Sequence, residues 1–151
     1  MAKKTITLEV IVCLLMLLFI YAGLSKLLDY QAFKVELAKS PLLTAFADWV
    51  ALIVPALEII IAIVLAIPRW RWIGLYAAYS LMLMFTSYIV AILKFSDYIP
   101  CSCGGVLQNM SWDTHLVFNT AFVLLALVGI MLCDVPNSFV AIKKRDSRKP
   151  V

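Results

Sequence analysis

The sequence predicts an all-α polytopic membrane protein, one domain built as a four-transmembrane-helix bundle with both termini in the cytoplasm. Three observations predict it. Of the 151 residues, 64% are hydrophobic, against roughly 45–50% apolar residues in a soluble domain, so the excess needs an apolar solvent. Four stretches, 6–24, 50–67, 72–93 and 115–133, are mostly apolar and close to the length of about 20 residues that crosses a bilayer. Lysine and arginine are unequally divided among the connections, which fixes an orientation. No alternation of period two is sustained, so a β-barrel is not a competitor.

The stretch 6–24 follows Lys3 and Lys4 and has the flanks of a signal peptide. Its apolar run is long for one and it lacks a good A-x-A cleavage site, so it is read as a retained anchor. An outer interfacial segment, 25–49, comes next. Within it Phe33 and Leu37 lie four apart, with Lys34 and Glu36 turned elsewhere, which predicts a short helix lying in the outer interface and ended by Ser40-Pro41. The hairpin Pro68-Arg69-Trp70-Arg71 is so short that the second and third spanning stretches must be antiparallel neighbours. An outer loop, 94–113, precedes the fourth stretch, and 134–151 is a basic cytoplasmic tail. Trp49, Tyr98 and Trp112 mark one headgroup level, Trp70 and Trp72 the other.

With the N-terminus inside, the cytoplasmic side holds Lys3, Lys4, Arg69, Arg71, Lys143, Lys144, Arg145, Arg148 and Lys149, and the outer side only Lys26, Lys34, Lys39 and Lys94. The excess inside supports the orientation. The net charge of +4 is matched by the run 143–149 within the tail, five basic residues against Asp146, and no basic face with interleaved aromatics exists elsewhere. Nucleic acid is therefore not expected as a partner; the lipid bilayer is. Asn109-Met110-Ser111 has the form of a glycosylation sequon but abuts a helix start and is read as a chance match.

Chemistry is concentrated in Cys101-Ser102-Cys103-Gly104-Gly105. An outward location favours oxidation, and two cysteines one residue apart can be bridged only in a tight ring. So short a loop removes little unfolded-chain entropy, which makes a structural staple unrewarding, whereas strain makes a disulfide easy to exchange. Gly104 and Gly105 leave a sulfur open to a partner thiol. A helix starting near Ser111 would point its positive end outward, which favours a thiolate. Two alternatives stay open: a passive loop pair, and a copper(I) site in which Cys101, Cys103, Met110 and His115 supply soft ligands. Asp113 and Ser111 also serve simply to start the fourth helix.

Glu58 stands in the middle of an apolar stretch. An ionisable group there costs about 2.5–3.5 kcal/mol on insertion scales, so it is expected to face the bundle and have a partner or a task. Tyr76, Tyr79, Ser80 and Thr86 on the third spanning stretch are the predicted partners, with bundle glue and proton relay both open. Glu9 is near enough to the inner interface to reach water, and Lys26 is placed to snorkel at the outer end of the first stretch. Cys13 and Cys133 are read as small hydrophobes.

Several of these residues also fall into motifs in order. The run Tyr21-Ala22-Gly23-Leu24-Ser25-Lys26-Leu27, then Pro55-Ala56-Leu57-Glu58, then the Cys101-x-Cys103 loop followed by Ser111-Trp112 and Asn119 resembles the MauE/DoxX family of redox-associated membrane proteins over nearly the whole chain. The resemblance implies a DoxX-like four-helix bundle in a bacterial inner membrane. It further implies support of disulfide formation or maturation of an exported protein, with an extracytoplasmic thioredoxin-like protein or an exported cysteine-containing client as partner. Methylamine metabolism itself is not carried over.

The sequence thus reads as a membrane thiol–disulfide redox protein. Cys101 and Cys103 are the exchanging pair, His115 and Asp113 tune or protonate it, and Glu58, Lys26 and Asn119 are structural or proton-handling residues. No cofactor is predicted, and a quinone site is left open. The competing class is a non-catalytic assembly factor for an exported client.

Overall fold

A chain this apolar leaves its backbone no hydrogen-bond partner in lipid except itself, and the helix is the local solution. The structure, a computed structural model, describes residues 2–39, 43–95 and 112–133. They form five α-helices: α1 (Ala2–Leu28), α2 (Tyr30–Lys39), α3 (Ala47–Ala66), α4 (Arg71–Phe95) and α5 (Trp112–Leu132), with one 3₁₀ turn at Thr44–Phe46 before α3. All but α2 are long and apolar enough to cross a membrane. The helices overrun the apolar stretches that predicted them, α1 reaching Leu28 and α3 starting at Ala47.

Turn chemistry accounts for the connections. Only Asp29 separates α1 from α2; its amide donates to the Ser25 carbonyl, and its own carbonyl accepts from Phe33. At the other end of the bundle α3 stops at Ile67, extended at φ −90° and ψ 111°, the conformation that a following proline imposes. The Trp70 amide then donates to the Ile67 carbonyl at 3.0 Å and α4 begins. The hairpin makes α3 and α4 antiparallel neighbours.

Packing runs round a ring, α1 on α3, α3 on α4, α4 on α5 and α5 back on α1. The α1–α3 approach is close because Gly23 carries no side chain: a Cβ there would stand 2.9 Å from Ile59 Cδ1 and 3.2 Å from the Pro55 carbonyl oxygen. Inside the ring Leu15, Phe19, Leu65, Leu75, Ala78 and Ala126 are buried in one apolar cluster. Large apolar side chains also cover the outside, Leu28 at 87%, Met131 at 75% and Val117 at 69% exposure, the inverse of a soluble bundle and the pattern lipid demands. A shallow groove of about 650 Å³ between α1 and α5, with Val10, Leu14, Leu124 and Val128 in its wall, is the loosest part of the ring. The amphipathic pattern of α2 places Phe33 and Leu37 against Ala47 and Ala51 of α3, so its apolar face covers protein.

Candidate functional site

Glu58 lies eleven residues into α3, about 16 Å from its start, and its side chain is 1% exposed. Lys26 leaves the last turn of α1 and reaches down to it. The Lys26 ammonium donates to Glu58 Oε1 at 2.8 Å and Oε2 at 3.0 Å, with a longer contact of 3.4 Å to the Ala22 carbonyl. Its Nζ also stands 5.8 Å from the ring centroid of Phe33 on α2 and 5.8 Å from that of Phe85 on α4, just inside the range of cation–π attraction. Four helices therefore converge on one ion pair.

The expected partners of Glu58 on α4 do not take that role, and the reason is local. Ser80 donates its hydroxyl to the Tyr76 carbonyl at 2.9 Å and Thr86 to the Met82 carbonyl at 2.8 Å. In a helix such hydroxyls satisfy themselves one turn back. Tyr76 faces outward at 51% exposure, and Tyr79 packs against the apolar cluster. Lys26 likewise does not snorkel outward. A carboxylate and two phenyl rings hold its charge inside, leaving the side chain 13% exposed.

His115, at the first turn of α5, lies at the same end of the bundle as Lys26. Its ring is stacked against Trp112 with centroids 6.1 Å apart, and its Nδ1 is buried with no hydrogen-bond partner among the described residues. Asn119, one turn further along α5, is buried at 5% exposure on the same helix face. Asp113 is exposed in the first turn of α5 and stands apart from this group. Cys101 and Cys103, with Met110 of the copper(I) alternative, lie outside the described residues. Cys13 is on the exposed side of α1, and Cys133 packs at the edge of the apolar cluster.

Two features escape a sequence reading. Phe85 carries no sequence signal, being one aromatic in an apolar helix. The pair of Arg71 Nη1 and Glu9 Oε1 at 2.6 Å ties the start of α4 to α1 at the opposite end of the bundle. The opposite charges of Lys26 and Glu58 were the available clue to the first site.

A multi-pass membrane protein with a charged site sealed inside its helix bundle is the class that these features define. Comparison of the sequence with known families makes the assignment closer. The family model described as methylamine utilisation protein MauE matches residues 4–132, and the chain belongs to the MauE family. No curated protein and no solved structure matches it.

Proposed function

We propose that this membrane protein carries out thiol–disulfide exchange with an exported partner through Cys101 and Cys103, from the outer face of a bacterial inner membrane. The observation that carries the reading is one of connectivity. The segment bearing both cysteines joins the end of α4 to the start of α5, the end of the bundle toward which Lys26 of α1 and His115 of α5 are placed. The lysine and arginine bias supports both termini lying in the cytoplasm, and membership of the MauE family agrees with a membrane-bound role. From the family description we take the membrane setting and leave the metabolite aside.

The exchange balances as follows. A thiolate of the client attacks one sulfur of the Cys101–Cys103 disulfide and forms a mixed disulfide, and the other sulfur leaves as a thiolate that takes up a proton. The client's second thiolate then attacks its own half of the mixed disulfide. The client leaves oxidised and the Cys101–Cys103 pair remains as a dithiol. Two electrons and two protons then pass to an oxidant of the quinone or protein-disulfide class. His115, three residues into α5, has a ring nitrogen without a hydrogen-bond partner among the described residues, and an imidazole is suited to accept or return the proton. Asp113, exposed in the first turn of α5, is the second group proposed to tune the cysteine pair, from the solvent side.

Single substitutions test the proposal. In cells, Cys101→Ser or Cys103→Ser should strand the remaining thiol in a covalent adduct that runs as a thiol-sensitive band on non-reducing gels, and the double variant should give none. Absence of an adduct in both single variants, with full function in the double variant, would hand the role to a non-catalytic assembly factor.

A further inference from the structure

Lipid covers every outward face of a spanning bundle, so contact with lipid is not by itself a site. A site for one lipid needs a channel for an acyl chain and, at its mouth, a charge for the headgroup. The groove between α1 and α5 has both. Its walls include Ile6, Val10 and Leu14 of α1 with Leu124 and Val128 of α5, and its volume of about 650 Å³ lies in the range of about 300–1,000 Å³ that small molecules occupy. Behind these walls α5 closes on α1 at Gly129, where an added Cβ would stand 3.1 Å from Ile11 Cγ2. Ile11 is buried, so the groove is floored by protein.

Length and chemistry favour an acyl chain as the occupant. From Ile6 to Leu14 the helix rises about 12 Å, close to the hydrocarbon depth of one leaflet, about 15 Å. Another spanning helix would need small residues that let two backbones approach. This groove is walled by branched side chains instead, with Thr7 and Ala121 its smaller members, a surface that flexible methylenes can follow.

The charge stands at the end near Ile6. Lys4 is exposed there, with Lys3 beside it in the chain, and the first turn of α1 holds no acidic residue. A helix N-terminus adds its own partial positive charge. Glu9, the acidic residue of α1, is engaged by Arg71 at 2.6 Å.

We propose that the α1–α5 groove binds one anionic phospholipid of the cytoplasmic leaflet, with an acyl chain along Val10, Leu14 and Leu124 and the phosphate headgroup at Lys3 and Lys4. The choice of leaflet rests on the orientation read from the lysine and arginine bias. The binding does not, and it is independent of the cysteines.

Native mass spectrometry of the full-length protein in detergent tests head and tail separately. The titrants are palmitoyl-oleoyl phosphatidylglycerol and the phosphatidylcholine of the same chains. A lysine near an anionic headgroup contributes about fivefold, so wild type should bind phosphatidylglycerol at least about tenfold tighter than phosphatidylcholine. Lys3→Gln/Lys4→Gln should bring the two lipids within about threefold of each other by weakening phosphatidylglycerol alone. Ala121→Phe, at an exposed position, fills the groove and should weaken both lipids by about tenfold while keeping the preference. Val128→Phe repeats that measurement from another wall if Ala121→Phe does not fold. Equal affinity of wild type for the two lipids, a preference that survives the lysine substitutions, or full binding by a folded groove-filling variant overturns the proposal. So does a dimer that Ala121→Phe abolishes, which would give the groove to a second copy of the chain. Binding as expected, with a reporter fused after Lys149 active outside the cytoplasm, would keep the site and overturn the orientation.

Discussion

Two ion pairs close the two ends of this bundle; their cations are similarly covered, Lys26 at 13% and Arg71 at 15% exposure, and the difference lies in their carboxylates. Lys26–Glu58 spans 2.8 Å and Arg71–Glu9 spans 2.6 Å. The carboxylate of the first is 1% exposed and that of the second 55%. An exposed pair has water or headgroups as an alternative partner for each charge and contributes about 0–1 kcal/mol. A sealed pair has no alternative, so each member depends on the other. Bond length therefore says little about either pair, and burial says most. The Arg71 end works as an interfacial clasp between α1 and α4, whereas the Lys26 end is a site that two further helices enclose with Phe33 and Phe85.

The largest expected effect is loss of one charge at the sealed end. Glu58→Leu strands the Lys26 ammonium and should lower stability by about 3–5 kcal/mol, read as thermal unfolding in detergent micelles followed by tryptophan fluorescence. Glu58→Gln should lose less, because the amide oxygen still accepts a hydrogen bond from Lys26. The double variant Lys26→Met/Glu58→Leu should recover most of the loss, since a pair replaced whole by apolar groups is close to neutral. A double variant as unstable as the sum of its singles would refute mutual dependence.

The close approach that brings the pair together comes next. Gly23→Ala would place a Cβ 2.9 Å from Ile59 and 3.2 Å from the backbone oxygen of Pro55. Overpacking of this kind costs about 1–3 kcal/mol, and the same unfolding measurement should show it. Ile59 can move but the Pro55 carbonyl cannot, so trimming Ile59→Val should relieve only part of the loss. Full relief would place the contact on the side chain alone.

At the exposed end the effects shrink. Arg71→Gln should change stability by less than about 1 kcal/mol, and a loss as large as that of Glu58→Leu would erase the distinction between the two ends. The smallest effect belongs to Lys34 on α2, whose pKa is raised from its usual 10.5 by the hydrogen bond and the charge of Asp48 2.6 Å away. A group with a raised folded-state pKa contributes fully below its unfolded value and loses the contribution as pH rises through the folded one. Asp48→Asn should therefore leave an unfolding midpoint unchanged in shape between neutral pH and about pH 10, and flatten only the fall that wild type shows above it.

Much of the architecture was legible in the chain because a bilayer allows so few solutions. Apolar stretches of the spanning length must be helices, and a hairpin as short as Pro68–Arg71 must make them antiparallel. The pairing of Phe33 with Leu37 was likewise readable, four apart on one helix face. Glu58 was marked out by its cost in lipid, and Lys26 by its place in the last turn of α1. Their partnership was not legible. Tyr76, Tyr79, Ser80 and Thr86 offered polar atoms at plausible depths, and sequence spacing does not reveal that a hydroxyl will turn back to its own helix or that a tyrosine will face out.

What the sequence determined by itself is therefore the set of spanning helices and the residues that lipid could not leave alone, because both follow from the free energy of single groups in an apolar solvent. Tertiary structure alone decided which of those groups met. That choice depended on Gly23 letting α1 approach α3, on the ring order of the helices, and on Phe33 and Phe85 arriving from two other elements to hold Lys26 inward. Each is a distance between residues far apart in the chain, and no local pattern encodes it.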